Sequence, residues 1–161
     1  MNKLQHSLTT GLLSAMVVLC ATTSAAHAAP SLDKDWRVRM LDSVNAVRAL
    51  NGVGPLKLCD AANRAAQWKA SNMATTGNFS HESPDGSPSD MIDEVVDWTS
   101  WGENIAYGYS SVRRVHRGWV NSPGHFANLI GPEFTHVGFG AKVDASGRRY
   151  WAQEFIESDT C

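Results

Sequence analysis

Residues 137–156 read VGFGAKVDASGRRYWAQEFI and mark the clearest change of periodicity in the chain. Apolar side chains alternate in the first part of this stretch and, with several aromatic residues, in its last part. Asp144–Gly147 has the composition of a turn, so the stretch predicts a β-hairpin. Gly138 and Gly140 lack the third glycine and the following helix of a dinucleotide-binding loop. We therefore interpret them as strand positions where another element packs close to the backbone.

Upstream of this hairpin the apolar residues follow a helical period. Residues 33–50 place Met40, Val44 and Val47 on one face, which predicts an amphipathic helix. A second helix is predicted over residues 61–76, with Asp60 as its cap and Gly77 just past its end. The small residues on one face of that second helix predict close packing against another layer.

Three serines predict the starts of further helices. Ser87 and the proline after it predict a short helix that extends to Val96, and Ser111 is the predicted cap of the next one. Ser122, again followed by proline, predicts the helix that carries His125 in its first turn. Helices come first and paired strands last, so the predicted class is α+β, with helices packed on an antiparallel sheet.

The beginning of the chain has the pattern of a secretory signal peptide. Gly11–Cys20 is an apolar core, and Ala26-His27-Ala28 matches the small-residue cleavage pattern, so residues 1–28 are predicted to be removed. The apolar run is too short for a membrane anchor. We therefore expect a secreted, monomeric product, extracellular or periplasmic, with one domain at residues 29–161.

Charge and cysteine content limit the partners and the redox setting of this domain. The whole chain has 14 basic and 16 acidic side chains, a balance that argues against nucleic acid as the main partner. Cys59 and Cys161 remain after the predicted cleavage, and in an oxidising compartment one disulfide is their simplest interpretation. Pairing between molecules and a reactive thiol at Cys59 are the alternatives.

The candidate site residues are His81, Glu103 and His125. Two imidazoles and one carboxylate suit Zn²⁺ or another divalent cation, with one coordination position open for water. The same three residues are also the candidates for catalysis. The alternative is a hydrogen-bonded network that holds loops to the sheet without a metal. His136 and Glu133 are interpreted as a strand residue and a solvated turn residue.

Five motifs follow one another in the sequence: FSHESPDG, WGENIAYG, WVNSPGHFANLI, FTHVGFG and YWAQEF. In this order they resemble the CAP superfamily, also called the SCP domain, which includes cysteine-rich secretory, antigen-five and pathogenesis-related proteins. The shorter prokaryotic-type branch fits best, and the resemblance covers about residues 35–156. It implies an α-β-α sandwich with a central antiparallel sheet, flanked by helices.

The resemblance also implies a cleft with two histidines and two acidic residues that can bind Zn²⁺ or Mg²⁺. His81, Glu103 and His125 match three of these positions, and Ser122 stands at the position of the second acid.

Three functions are compatible with these residues. The favoured one is a binding or effector module for a lipid, sterol, glycan or protein in the extracellular or envelope space. The first alternative is a metal-dependent, peptidase-like hydrolase that uses the same cleft. The second is a disulfide-stabilised structural domain in which the three candidate residues brace the loops.

Overall fold

The structure, a computed structural model, describes residues 30–161. The predicted signal peptide lies outside the described residues. The elements in chain order are α1 (Trp36–Leu50), β1 (Lys57–Leu58), α2 (Asp60–Thr76), α3 (Pro88–Asp93), β2 (Ser100–Tyr107), α4 (Val112–Val120), α5 (Pro123–Leu129), β3 (His136–Val143) and β4 (Arg149–Glu157). The predicted α+β class is confirmed.

The sheet has the strand order β1-β3-β4-β2. Strands β3 and β4 form the predicted antiparallel hairpin, and β2 pairs antiparallel with β4 along its whole length. The short strand β1 joins β3 in parallel, so the antiparallel sheet has a parallel edge. Strand β2 therefore forms the opposite edge of the sheet, which positions the candidate site.

Helices cover both faces of the sheet. Val137 and Phe139 of β3 belong to the core shared with α1, α4 and α5. Gly138 and Gly140, which alternate with them, face α2. A Cβ added to Gly138 would lie 1.9 Å from the backbone carbon of Ala62, so only glycine permits this approach. The predicted close packing of α2 is confirmed, and the layers form the α-β-α sandwich.

The ends of the helices differ in part from the prediction. Ser87 caps α3 through its hydroxyl, as predicted, but α3 ends at Asp93 and does not reach Val96. The predicted cap Asp60 is wrong because Asp60 is the first residue of α2 and Cys59 takes the cap position. Ser111 and Ser122 stand at the cap positions of α4 and α5, but neither side chain makes a capping hydrogen bond.

One buried cation in α1 does not follow from the amphipathic pattern. Arg48 is 1% exposed, whereas Val47 is only partly buried. The Arg48 guanidinium donates hydrogen bonds to the backbone carbonyls of four residues outside α1: Gly54, Leu129, Gly131 and Phe134. Its position depends on carbonyls distant in sequence, which the helical period does not reveal.

The predicted disulfide between Cys59 and Cys161 is confirmed, with a Cα–Cα distance of 5.5 Å. It joins the C-terminal end of the chain to the start of α2. Among the helices within residues 30–161, none has the length and apolar character needed to span a bilayer.

Candidate functional site

Two of the three candidate residues are in direct contact. His81 lies in the loop after α2, and its Nδ1 atom is 2.6 Å from Oε1 of Glu103 on β2. The side chain of Glu103 is 1% exposed, whereas that of His81 is 59% exposed. A buried carboxylate thus supports an imidazole that faces the solvent.

The third candidate residue faces the same opening. His81 and His125 both line a cavity of about 550 Å³, together with four further residues: Phe79, Ser80, Glu82 and Ile105. His125 occupies the first turn of α5, as the sequence predicts. The cavity lies beside the edge strand β2, where the loop after α2 and the helix α5 approach from the two helical layers.

Each imidazole is held through the same ring atom. Nδ1 of His81 binds the carboxylate of Glu103, and Nδ1 of His125 is 2.8 Å from the hydroxyl oxygen of Ser122. No hydrogen bond within the described part of the chain engages Nε2 of either ring. Because an ionised carboxylate only accepts hydrogen bonds, the His81 ring donates from Nδ1, and when the ring is neutral its free electron pair is on Nε2.

The geometry gives Ser122 a different role from the two that the sequence indicates. Its hydroxyl does not cap α5, although its backbone occupies the cap position. It contacts the His125 ring instead. Ser122 therefore orients the histidine, as the partner of a binding or catalytic histidine commonly does.

The environment of His125 favours its neutral form. Burial and then the nearby His81 lower the pKa of His125 below the ordinary value of 6.5. A partly buried imidazolium loses hydration, and a second imidazolium beside it would add repulsion. A neutral ring at this position can accept a hydrogen bond or a coordinate bond at Nε2.

Side-chain amides join α5 to β2 beneath the cavity. Asn104 donates to the backbone carbonyl of His125, and Asn128 donates to the backbone carbonyl of Glu103. Asn128 also donates to the Asn104 amide oxygen. This network fixes the two walls of the cavity relative to each other.

Two ionisable residues below His81 were missed by the sequence analysis. Lys69 of α2 is 1% exposed and Glu154 of β4 is fully buried. Lys69 follows the small buried residues of α2 at helical spacing, and Glu154 alternates inward with Ala152 and Ile156. Both residues are charged but occupy sequence positions at which the helical or strand pattern predicts buried apolar side chains. That mismatch was the signal that could have identified them.

The observed contacts do not fit the predicted three-ligand metal site. No group of three or more His, Cys, Asp or Glu side chains within residues 30–161 is arranged to hold a metal ion. Glu103 uses one carboxylate oxygen for His81, and its other oxygen is 3.9 Å from Nζ of Lys69. A cation at this carboxylate would therefore meet the positive charge of Lys69. Metal binding by His81, Glu103 and His125 stays a prediction.

The residues interpreted as structural lie outside this cavity. His136 is in β3, mostly buried, with its Nδ1 atom 3.0 Å from the hydroxyl oxygen of Thr135. Glu133 is exposed in the turn before β3. Both interpretations are confirmed.

Residues 41–155 match the model of the family described as CAP, cysteine-rich secretory protein family. The chain belongs to this family. A Bacillus subtilis relative, the uncharacterized protein YkwD, is 34% identical over 136 residues, which cover 83% of this chain and 52% of YkwD. The human Golgi-associated plant pathogenesis-related protein 1 is 28% identical over 127 residues, covering 74% of this chain and 81% of the human protein.

Solved structures show the same fold. An extracellular protein with an SCP domain from Bacillus anthracis superposes with a TM-score of 0.70 at 27% identity, covering 80% of this CAP chain and 45% of the other. An outer surface protein from Borrelia burgdorferi has a TM-score of 0.71 at 19% identity, covering 81% of this chain and 99% of the Borrelia chain. This chain spans about half the length of YkwD and of the B. anthracis protein.

Proposed function

We propose that this CAP protein is an exported binding module and that the cavity between His81 and His125 is its ligand site. One observation carries the proposal: two imidazoles line the same cavity, each held at Nδ1 and each with an unengaged Nε2. Oriented polar groups in a concave, partly apolar pocket are the usual basis of ligand recognition.

The lining indicates what kind of ligand the cavity suits. Phe79 is 42% exposed and packs edge-to-face on Tyr107 with ring centroids 4.7 Å apart. Phe79 and Ile105 offer apolar surface, whereas the imidazole Nε2 atoms can accept hydrogen bonds. This combination suits a ligand that has an apolar portion and carries hydroxyl or amine donors. A sterol, a lipid with a hydroxylated headgroup and a glycan share that chemistry.

Export is part of the same proposal. The signal-peptide pattern of residues 1–28 and the Cys59–Cys161 disulfide support an oxidising compartment. The similar B. anthracis protein is described as extracellular.

The binding proposal is tested with a ligand screen on the purified protein. Vesicles with and without sterol, hydroxylated lipids and neutral oligosaccharides are assayed by native mass spectrometry and calorimetry. We expect at least one of them to bind wild type and to bind His125→Ala about tenfold more weakly, because a hydrogen bond in the cavity is lost. The proposal fails if nothing binds, or if binding is the same in His125→Ala.

The His81–Glu103 contact also favours hydrolysis as a second candidate function. A buried carboxylate that holds Nδ1 of a histidine can stabilise the imidazolium formed when Nε2 takes a proton from water. His81 would then be the general base, and Glu103 would position it. A peptide library assayed with wild type, His81→Ala and Glu103→Gln tests this: equal turnover in all three ends the idea.

Metal occupancy is tested independently of activity. Elemental analysis of protein purified from its own host measures bound Zn²⁺ and other divalent ions. If an ion is bound stoichiometrically, Glu103 must give up its contact with Lys69 or His81 when the ion binds. If the purified protein contains no metal, the hydrolase hypothesis no longer includes a metal ion.

A further inference from the structure

Three ionisable side chains are buried together directly beneath the cavity. Lys69 and Glu103 are each 1% exposed as side chains, and Glu154 is fully buried. They come from α2, β2 and β4, on the sheet face that α2 covers. Buried charges are costly unless they are paired, so this cluster needs an explanation that packing alone does not provide.

Lys69 connects the backbone and the ring support of His81. Its ammonium group donates a hydrogen bond to the backbone carbonyl of His81. The same Nζ atom is 3.9 Å from Oε2 of Glu103, whose Oε1 holds Nδ1 of His81. One cation thus contacts both the loop that carries His81 and the carboxylate that orients its ring.

Glu154 lies beside the same carboxylate on the neighbouring strand. It is the cross-strand partner of Glu103, so the two carboxyl groups lie on the same face of the sheet. Trp101 donates to Oε2 of Glu154 across 3.0 Å. Burial and then the charge of Glu103 raise the pKa of Glu154 well above its ordinary value. The neutral form of Glu154 is therefore favoured, which avoids repulsion with the Glu103 carboxylate that faces Lys69.

We propose that Lys69 is a positioning residue for the cavity: it holds the Glu103 carboxylate and the His81 backbone so that the His81 ring presents Nε2 to the ligand, with Glu154 as the neutral neighbour of that carboxylate. This inference rests on the proposed function, because it assumes that the cavity binds a ligand. The experiment that tests it needs no ligand. Two oxygens, Oε2 of Glu103 and Oε1 of Glu154, are buried with no hydrogen-bond partner in the described residues. Apolar side chains of similar volume would brace the layers at lower cost.

The test measures the tautomer of His81 by ¹⁵N NMR of its imidazole. In wild type, at a pH at which the ring is neutral, we expect the proton on Nδ1. In Lys69→Met the buried Glu103 carboxylate loses its counter-charge, which favours its protonated form, and a protonated carboxyl group can donate to Nδ1. The loop also loses its anchor. We therefore expect the His81 signals to shift toward the form with the proton on Nε2. In Glu154→Gln a neutral amide of similar shape replaces a carboxyl group whose neutral form is favoured, so we expect the wild-type His81 signals to remain.

Arg48→Met is the matched control. Arg48 is also a buried cation that donates to backbone carbonyls, but its contacts are at Gly54, Leu129, Gly131 and Phe134, not at His81. We expect Arg48→Met to lower the melting temperature and leave the His81 signals unchanged. Lys69→Gln replaces Lys69→Met if the latter does not fold.

The outcomes separate this inference from the proposed function. If the Lys69 variant keeps the wild-type His81 signals while its melting temperature falls as in Arg48→Met, the cluster is only bracing and the inference fails. Loss of the wild-type signals in Glu154→Gln also overturns it. The NMR measurement uses no ligand, so an unsuccessful ligand screen would count against the proposed function and leave the positioning role intact.

Discussion

The two histidines of the cavity are oriented by partners of different strength. His81 is held by a buried carboxylate, whose charge fixes the direction of the hydrogen bond. His125 is held by a serine hydroxyl, which can donate or accept and so does not fix the tautomer of the ring. The site is therefore asymmetric: His81 is committed to one tautomer, and His125 can adapt to a ligand.

Replacement of Ser122 by alanine tests its role toward His125. Because Ser122 makes no capping hydrogen bond, we expect Ser122→Ala to change the free energy of unfolding by about 1 kcal/mol or less. We also expect the His125 imidazole signals to shift in NMR spectra, since the ring loses its Nδ1 partner. Ser111→Ala is the matched control, because Ser111 also stands at a cap position without a capping bond. Unchanged His125 signals in Ser122→Ala would contradict the orienting role.

The lowered pKa of His125 predicts how the site responds to pH. The folded protein binds a proton here less readily than the unfolded chain, so the stability contributed by the neutral ring is present above the unfolded value of 6.5. It is lost as pH falls below 6.5 toward the folded pKa. We expect an NMR titration midpoint for His125 below 6.5. In a His125→Gln variant we expect this part of the pH dependence of the free energy of unfolding to be absent. An NMR titration midpoint above 6.5 for His125 in wild type would refute the argument.

The sequence predicted the three candidate residues of the site but not the buried residues that contact them. His81, Glu103 and His125 stand in motifs, so the resemblance identified them without coordinates. Lys69 and Glu154 were not predicted, because they come together only when α2 packs on the sheet. The orienting contact of Ser122 was missed because the same residue also satisfies the pattern of a helix cap.

At the scale of elements, the contact of α2 with β3 decides how close the helix can approach the sheet. Gly138 and Gly140 bring the strand backbone against Ala62 and Ala66 of the helix. This approach also brings Lys69, further along α2, beneath β2. The glycine pattern in the sequence was therefore informative about the site as well as about the layer spacing.

Gly138→Ala tests this packing. The added methyl group would lie 1.9 Å from the backbone of Ala62, and a backbone atom cannot move aside without displacement of α2. We expect a loss of about 3 kcal/mol in the free energy of unfolding, measured by urea denaturation. At Gly54 an added Cβ meets nothing within 4 Å, so we expect Gly54→Ala to be close to neutral. Equal stability of the two variants would contradict the packing argument.

The strand β2 could not be predicted from the alternation of apolar and polar residues. Its central residues Glu103 and Asn104 are both buried although they point to opposite faces. Helical layers cover both faces, so the alternation of apolar and polar residues that reveals a half-exposed strand is absent. The hairpin of β3 and β4 was predictable because its turn and its aromatic alternation are local features.

At the scale of the whole molecule, the cavity depends on both helical layers. The loop after α2 supplies His81 from one side of the sheet, α5 supplies His125 from the other, and the edge strand β2 lies between them. Any change that separates the layers should therefore alter the cavity before it unfolds the sheet. The disulfide is the covalent link on the α2 side of this arrangement.

Reduction of the Cys59–Cys161 disulfide tests how much that link stabilises the molecule. The bridge closes a sequence separation of 102 residues, and removal of such a native disulfide is expected to cost about 2–5 kcal/mol. We expect thermal unfolding of wild type to occur at a lower temperature in reductant, and Cys161→Ser to match reduced wild type with no further change when reductant is added. Non-reducing electrophoresis should show a monomer, because the pairing is within the chain. A melting temperature that does not respond to reductant, or a disulfide-linked dimer, would contradict this role for the bridge.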